Sequence, residues 1–209
     1  MASFAGATSR IARAVSRARL PISTVAGVYV ASILVGIAMV HGGSPSALQY
    51  RDKLVGDAAK NDPAAIEGNH GNGLRAAFTD FAGNLALGSA PKAVMGMSVV
   101  LPYPFVAYQG WVGGIVSVRG DHTSRLNRVR PAAYYLLTVA LQITAYSLAV
   151  GSGVNVGVSL FRPRSWYQGG KFARIFPGEA LLDMLRIYAL ATPLFLAASL
   201  WEFLSPWNI

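Results

Sequence analysis

The sequence contains no cysteine, only three histidines and few charged residues. The absence of cysteine excludes a disulfide framework, a thiolate metal site and a cysteine nucleophile. Charged residues make up 13% of the chain, whereas soluble domains carry roughly 25%. More than half of the residues are hydrophobic, and the mean hydropathy is positive. This composition predicts an integral membrane protein with one domain of ordinary size.

Acidic residues are absent from the first 51 positions, where four arginines precede an apolar run at 22–40. That run is long enough to cross a bilayer core of ~30 Å. We expect residues 1–20 to form a basic interfacial helix on the cytoplasmic side, with its arginines contacting anionic lipid headgroups. They are Arg10, Arg13, Arg17 and Arg19. A frayed basic tail is the alternative interpretation.

The basic residues lie in short segments between apolar runs, as the positive-inside rule requires. The net charge of +9 therefore does not indicate nucleic acid binding, and no nucleic acid partner is expected. Counting Lys and Arg on the two sides of the predicted membrane domain gives eight and eight. Charge alone consequently does not decide the topology.

The apolar runs predict an all-α, polytopic transmembrane bundle of about five spans within a domain at 21–209. Residues 76–118 are too long for a single crossing, because one helix of that length would reach about 65 Å. The prolines of LPYP at 101–104 provide the break. A competing division makes 74–90 an interfacial helix and 91–118 one kinked span, leaving four spans. The five predicted spans are 22–40, 76–100, 105–118, 132–161 and 181–204.

Small residues recur every four positions in two of the predicted spans. Such spacing lets helix backbones approach closely in lipid, which predicts a packing role. GSGVNVG at 151–157 also resembles a glycine-rich nucleotide loop, but no strand precedes it and the run continues apolar. Packing is therefore favoured, and no cofactor is expected. The predicted packing residues are Ala145, Ala149, Gly153 and Gly157 in the fourth span and Gly110 and Gly114 in the third.

Ionisable and amide side chains inside predicted spans are candidate functional residues by default. Those of interest are Asp80, Asn84, Arg186 and Glu202, together with Gln109, Gln142 and Asn155. Three of them, Asp80, Arg186 and Glu202, lie near span ends, which favours snorkelling or local pairing. With five spans, Glu202 lies at the depth of Arg75 and Asn84, so we expect it to pair with one of them. The histidines are isolated, and no catalytic or metal site is expected.

Three segments resemble the stage II sporulation protein M family. They are AFTDFAGNLALG at 77–88, YQGWVGG at 108–114 and AASLWEFLSP at 197–206. The family shows a Phe-x-x-x-x-Asn helix start, an Asn-Gly-x-x-x-Gly segment and a terminal helix with Ala-Ala-x-x-Glu-x-Phe character. This chain departs from the pattern at Gln109, where the family has Asn. It also lacks the family's His-Gly-x-x-Glu in the following helix.

The resemblance covers roughly residues 74–206 and implies a five-span bacterial membrane protein without catalysis of its own. The best-known member is a scaffold in a peptidoglycan-remodelling assembly, and relatives occur in bacteria that do not sporulate. We therefore expect a multi-pass scaffold or assembly subunit in the bacterial inner membrane, with other membrane subunits as partners. Alternatives are a transporter or channel component, an accessory subunit of a respiratory or photosynthetic supercomplex, or a membrane enzyme.

Overall fold

The computed structural model describes residues 2–162, 167, 171–172 and 175–207. Within these residues the chain is helical apart from its connections and one pair of two-residue strands, which confirms the predicted all-α class. Most of the second basic loop, at 163–166, 168–170 and 173–174, lies outside the described residues.

Eight α-helices and several shorter elements follow one another in the described chain. The helices are α1 (Ala2–His41), α2 (Pro45–Asn61), α3 (Pro63–Asn69), α4 (Gly73–Ala82), α5 (Ala90–Gly96), α6 (Pro102–Ile115), α7 (Val129–Val158) and α8 (Gly178–Leu204). A π-helical segment, Gly83–Ser89, joins α4 to α5, and 3-10 turns occupy Arg125–Asn127 and Ser159–Phe161. The strands β1 (Lys171–Phe172) and β2 (Phe176–Pro177) pair antiparallel before α8.

Three helices in the described part of the chain are long and apolar enough to cross a membrane. They are Thr8–His41, Val129–Phe161 and Gly178–Leu204. Helices of this length and composition indicate a membrane protein. The predicted spans at 76–100 and 105–118 coincide instead with shorter helical pieces, the α4–π–α5 segment and α6.

The basic N-terminal segment and the first predicted span form one continuous helix of 40 residues, although Pro21 lies inside it. A proline in a helix has no N–H to donate and leaves the carbonyl four residues earlier without its usual partner. Here that carbonyl belongs to Arg17, and the Arg162 guanidinium donates to it at 2.9 Å. This replacement donor allows α1 to pass through Pro21 without a break.

Contacts along the bundle fix the relative directions of the helices. Gly151 of α7 lies against Ile22 of α1, whereas the aromatic rings of Tyr146 and Tyr29 meet further along. The two helices are therefore antiparallel. By the same reasoning, α6 runs parallel to α1, α5 runs parallel to α7, and α8 runs antiparallel to both α7 and α4. The segments α1, α4–π–α5, α6, α7 and α8 thus alternate in direction.

Glycines form the closest contacts between neighbouring helices. The Gly153 and Gly157 backbones lie against the carbonyl groups of Ala93 and Met97, which brings α7 onto α5 and the turn after it. A Cβ atom added at Gly110 would lie 2.6 Å from the Tyr29 carbonyl oxygen, and one at Gly114 would overlap α1 backbone near Ile33. The remaining stripe residues, Ala145 and Ala149, are fully buried. The small residues therefore lie where two pairs of helices approach closely, α7 with α5 and α6 with α1.

A cap over one end of the bundle comes from α2. Its Ala47 packs with Val40, Ile115 and Val118 in a small apolar cluster at the ends of α1 and α6. Apolar packing in the interior centres on Tyr29, Tyr146 and Phe195 instead. These two clusters hold α2 against the bundle and the long helices against one another.

We predict that Gly153→Ala lowers thermal stability by several degrees, because its new Cβ overlaps the Ala93 backbone. Gly27→Ala is the matched control, since Gly27 lies in α1 with no atom near the added methyl. Helix propensity favours that control change by about 1 kcal/mol. The measurement is the fraction of purified protein that remains monodisperse in detergent after heating. Equal midpoints for the two variants would contradict the packing role.

Candidate functional site: a polar chain inside the helix bundle

The central feature of the interior is a chain of polar side chains that links six helical segments, named here the polar chain. Its members are Ser199, Asp80, Asn84, Tyr146, Lys92 and Gln109. They come from α8, α4, the π-helical segment, α7, α5 and α6 respectively. Groups of this kind are costly in lipid unless partners are close. The arrangement of the chain therefore constrains how the helices rotate and pack.

One half of the polar chain begins at Asp80. Its Oδ2 accepts hydrogen bonds from the Ser199 hydroxyl at 2.6 Å and from the Asn84 amide at 2.8 Å. The Asn84 carbonyl oxygen in turn accepts from the Tyr146 hydroxyl at 2.7 Å. Asn84 thus donates to the carboxylate on one side and accepts from the phenol on the other. These three bonds connect α4 and the π-helical segment to both α7 and α8.

The other half of the polar chain surrounds Lys92. Its ammonium group donates to the Gln109 carbonyl oxygen at 2.5 Å and lies 4.9 Å from the centroid of the Tyr146 ring. A cation over an aromatic face is attracted by the ring quadrupole, and the effect grows when water is excluded. Tyr146 therefore contacts both halves of the chain, through its hydroxyl and through its ring face.

Local backbone structure makes room for Tyr146. Gly88 lies in the π-helical segment, and a Cβ atom there would overlap the Tyr146 hydroxyl. A π-helical insertion widens the helix and is frequent at functional sites. Phe195 meets the same ring edge-on, with centroids 4.9 Å apart. The π-helical segment and a glycine together admit a bulky phenol between three helices.

Glu202 bonds to a different helix from the one expected. Its carboxylate accepts a hydrogen bond from the Gln142 amide of α7 at 3.1 Å. The two expected partners bond to other groups: Asn84 donates to Asp80, and Arg75 pairs with Glu67 at 3.2 Å. The expected link between α8 and the α4 segment exists, but it is made one turn earlier on α8, between Ser199 and Asp80.

An ion-pair cluster occupies the opposite end of α8, named here the Asp183 cluster. Arg17 of α1 binds Asp183 through two nitrogens, each 2.6 Å from a carboxylate oxygen. Arg186 donates to Asp183 at 2.9 Å and to Glu179 at 2.6 Å. Asp183 is fully buried, so its two cations replace the water it has lost. Arg186 is thus locally paired, and Arg17 contacts a carboxylate within the chain.

Several members of these networks were not singled out from the sequence. Lys92 had an available signal, because no other Lys or Arg occurs between Arg75 and Arg119. Asp183 had one as well, since it lies three residues before Arg186 on the same helical face. For Tyr146 and Ser199 the sequence offers no such signal, because a hydroxyl in an apolar helix does not indicate which residue it bonds to.

The polar chain offers hydrogen bonding and charge. Its two hydroxyl groups, those of Ser199 and Tyr146, donate to Asp80 and Asn84 respectively. The described residues contain no group of three or more potential metal ligands. The histidines bind outside the chain, His41 to Ser124 and His122 to Asp52. The chemistry available is a hydrogen-bonded series from the Asp80 carboxylate to the Tyr146 phenol, with the Lys92 ammonium over the ring of that phenol.

No family model, curated protein or solved structure significantly matches the chain.

We predict that Tyr146→Phe destabilises the protein by about 1 kcal/mol, in the range of hydrogen bonds between membrane helices. The change removes one hydroxyl and leaves the Asn84 carbonyl oxygen without its donor in a dry interior. Thr144→Val is the matched control on the same helix, since its exposed hydroxyl bonds only to the Ala140 backbone. Unfolding in mixed micelles with denaturant measures both variants. A control loss as large as that of Tyr146→Phe would contradict the assigned link.

Proposed function

We propose that the chain is a non-catalytic scaffold or assembly subunit of a larger complex in the bacterial inner membrane. The carrying observation is that the buried ionisable groups are already bound within the chain. Asp183 pairs with two arginines, and Asp80 accepts hydrogen bonds from a serine hydroxyl and an amide. Glu202 accepts a hydrogen bond from Gln142, and Lys92 donates one to Gln109. A solute site needs polar groups directed into a cavity. Internally satisfied groups instead stabilise a bundle whose outer faces contact partners.

The resemblance to the stage II sporulation protein M family supports the same proposal, because the best-known member of that family is a scaffold subunit. The shared segments contain residues with identified contacts here. Asp80 and Asn84 in the first segment belong to the polar chain, and Gly110 and Gly114 in the second lie against α1. Glu202 in the third bonds to α7. In this proposal the family-like residues hold the fold together, and partner proteins bind elsewhere.

We further propose five membrane passes with a cytoplasmic N-terminus. Support comes from the alternating directions of α1, α4–π–α5, α6, α7 and α8. The pieces of the second pass have 10, 7 and 7 residues, which gives roughly 35 Å of helix and matches a bilayer core. The 40 residues of α1 give about 60 Å, so its arginine-bearing end extends past the core into the headgroup region. There Arg10, Arg13 and Arg19 are exposed to anionic lipid.

The scaffold proposal predicts co-purification. Extracted from its native membrane in a mild detergent, the tagged chain should elute with other membrane polypeptides in fixed stoichiometry. Cross-linking followed by mass spectrometry should place those partners on its outer helix faces. A tagged, unrelated multi-pass protein extracted in parallel controls for adventitious contacts. Recovery of a lone species that moves a solute in proteoliposomes would overturn the proposal.

A transporter or channel component is the second candidate, favoured by the polar chain and its π-helical segment. Ionisable side chains arranged in series inside a membrane bundle form proton relays in pumps and transporters. This candidate predicts a proton flux in proteoliposomes that Lys92→Met reduces at least tenfold. Lys53→Met is the control, because Lys53 is exposed on α2. Absence of flux above empty liposomes for the unaltered protein would exclude this candidate.

A further inference from the structure

An arginine-lined cavity opens at the start of α7, at the end of the bundle opposite to the Asp183 cluster. It has a volume of about 260 Å³ and is named here the arginine cavity. Its lining consists of Arg119, Arg128, Val129, Arg130 and Pro131. Three arginine side chains around so small a volume concentrate positive charge where an anion fits.

Short-range backbone bonds in the loop before α7 bring these arginines together. Val118 and Ser124 form an isolated antiparallel bridge, and the Arg119 N–H donates to the Thr123 carbonyl at 2.9 Å. The Ser124 hydroxyl then accepts from the Leu126 N–H at 3.1 Å, which starts the 3-10 turn leading to Arg128. A tight hairpin followed by a turn therefore places Arg119 beside the residues that begin α7.

Carboxylates near the arginine cavity are bound elsewhere. Asp121 accepts from the hydroxyl and the N–H of Thr123, and Asp52 accepts from Arg51 and His122. The hydrogen bond from His122, followed by that from Arg51, holds the pKa of Asp52 below its usual value. No carboxylate of the described chain forms an ion pair with the three arginines that line the cavity. Their charge is available to a ligand.

The backbone at the start of α7 favours an anion as well. Arg128 is the N-cap residue, and no side chain accepts a hydrogen bond from the first turn. The unpaired N–H groups of a helix N-terminus carry partial positive charge, and α7 has 30 residues. Pro131 has no N–H, so the free donors of this turn lie on the residues that line the cavity. The arginines and the start of α7 thus border the same volume.

Two further arginines, Arg51 and Arg125, lie near Arg119. Arg51 is only 6% exposed, and its Nε has no hydrogen-bond partner among the described residues. Burial lowers the pKa of Arg125, and the positive charges of Arg51 and Arg119 act in the same direction. Such repulsion between cations is relieved by an anion bound nearby.

We propose that the arginine cavity binds the phosphodiester headgroup of an anionic phospholipid. Arginine forms bidentate hydrogen bonds with phosphate, and interfacial basic pockets are suited to lipid headgroups. A lipid is favoured over a free phosphate by the surface next to the cavity. Val129 is 86% exposed and Leu136 is 54% exposed, in the first and third turns of α7 on one face. Acyl chains from a headgroup in the cavity would lie along this apolar row.

The test is lipid retention by the full chain in detergent, measured by native mass spectrometry with added phosphatidylglycerol or phosphatidylcholine. We expect preferential retention of phosphatidylglycerol. Replacing Arg119, Arg128 and Arg130 together by Gln should weaken that retention about 100-fold, since each basic residue near an anionic surface contributes about fivefold. The control is Lys53→Gln together with Lys60→Gln, which removes exposed positive charge from α2, where no lipid contact is assigned. It should retain the lipid at the cavity.

Three results would overturn the proposal. The first is equal retention of the two lipids by the unaltered protein, and the second is an equal loss in the control variant. The third is competition by inorganic phosphate at millimolar concentration, which would identify a free oxyanion site instead. Should the triple variant fail to fold, the three single Arg→Gln variants carry the same comparison. Arg128→Lys, which keeps the charge without the bidentate geometry, should lose less than Arg128→Gln.

Discussion

The rest of the structure depends on one constraint: a charged group inside an apolar bundle must find its partner within the chain. Water is not available to replace a missing donor or acceptor at that depth. The constraint acts at both ends of α8. Asp183 is fully buried and binds two arginines, whereas Ser199 donates to Asp80 across the bundle. Because Arg17 belongs to α1 and Asp80 to α4, α8 is fixed against α1 at one end and against α4 at the other.

Close backbone approach and polar pairing depend on one another in this bundle. Tyr146 reaches Asn84 and the Lys92 ammonium only because the π-helical segment carries Gly88 where the phenol enters. About two turns further along α7, Gly153 lies directly on the backbone of α5. A larger residue at that position would separate the helices and lengthen the hydrogen bonds beside it. The glycine contacts set the spacing, and the polar chain then selects the rotation of each helix.

Periodicity and composition predict part of this structure. The rest depends on contacts between residues that are far apart in the chain. The helical class follows from long apolar runs, which the sequence displays directly. Glu202 was expected to bond with the α4 segment, but helix rotation turns its carboxylate toward Gln142. The continuity of α1 through Pro21 depends on Arg162, far away in the chain. Neither partner is visible in a local window, because helix rotation and loop position come from the packing of the whole bundle.

Arginine shows why a count of charges is a weak guide to topology in such a protein. Arg17 lies in the basic N-terminal segment, yet its guanidinium binds Asp183 and links two helices. Arg119 and Arg128 lie at the opposite end, where the nearby carboxylates are bound to other groups. Identical residues thus contribute to the fold at one end and leave positive charge open at the other. A membrane surface interacts with the unpaired charge at each end of the bundle. Which charges are unpaired depends on the contacts between side chains, not on the number of charged residues.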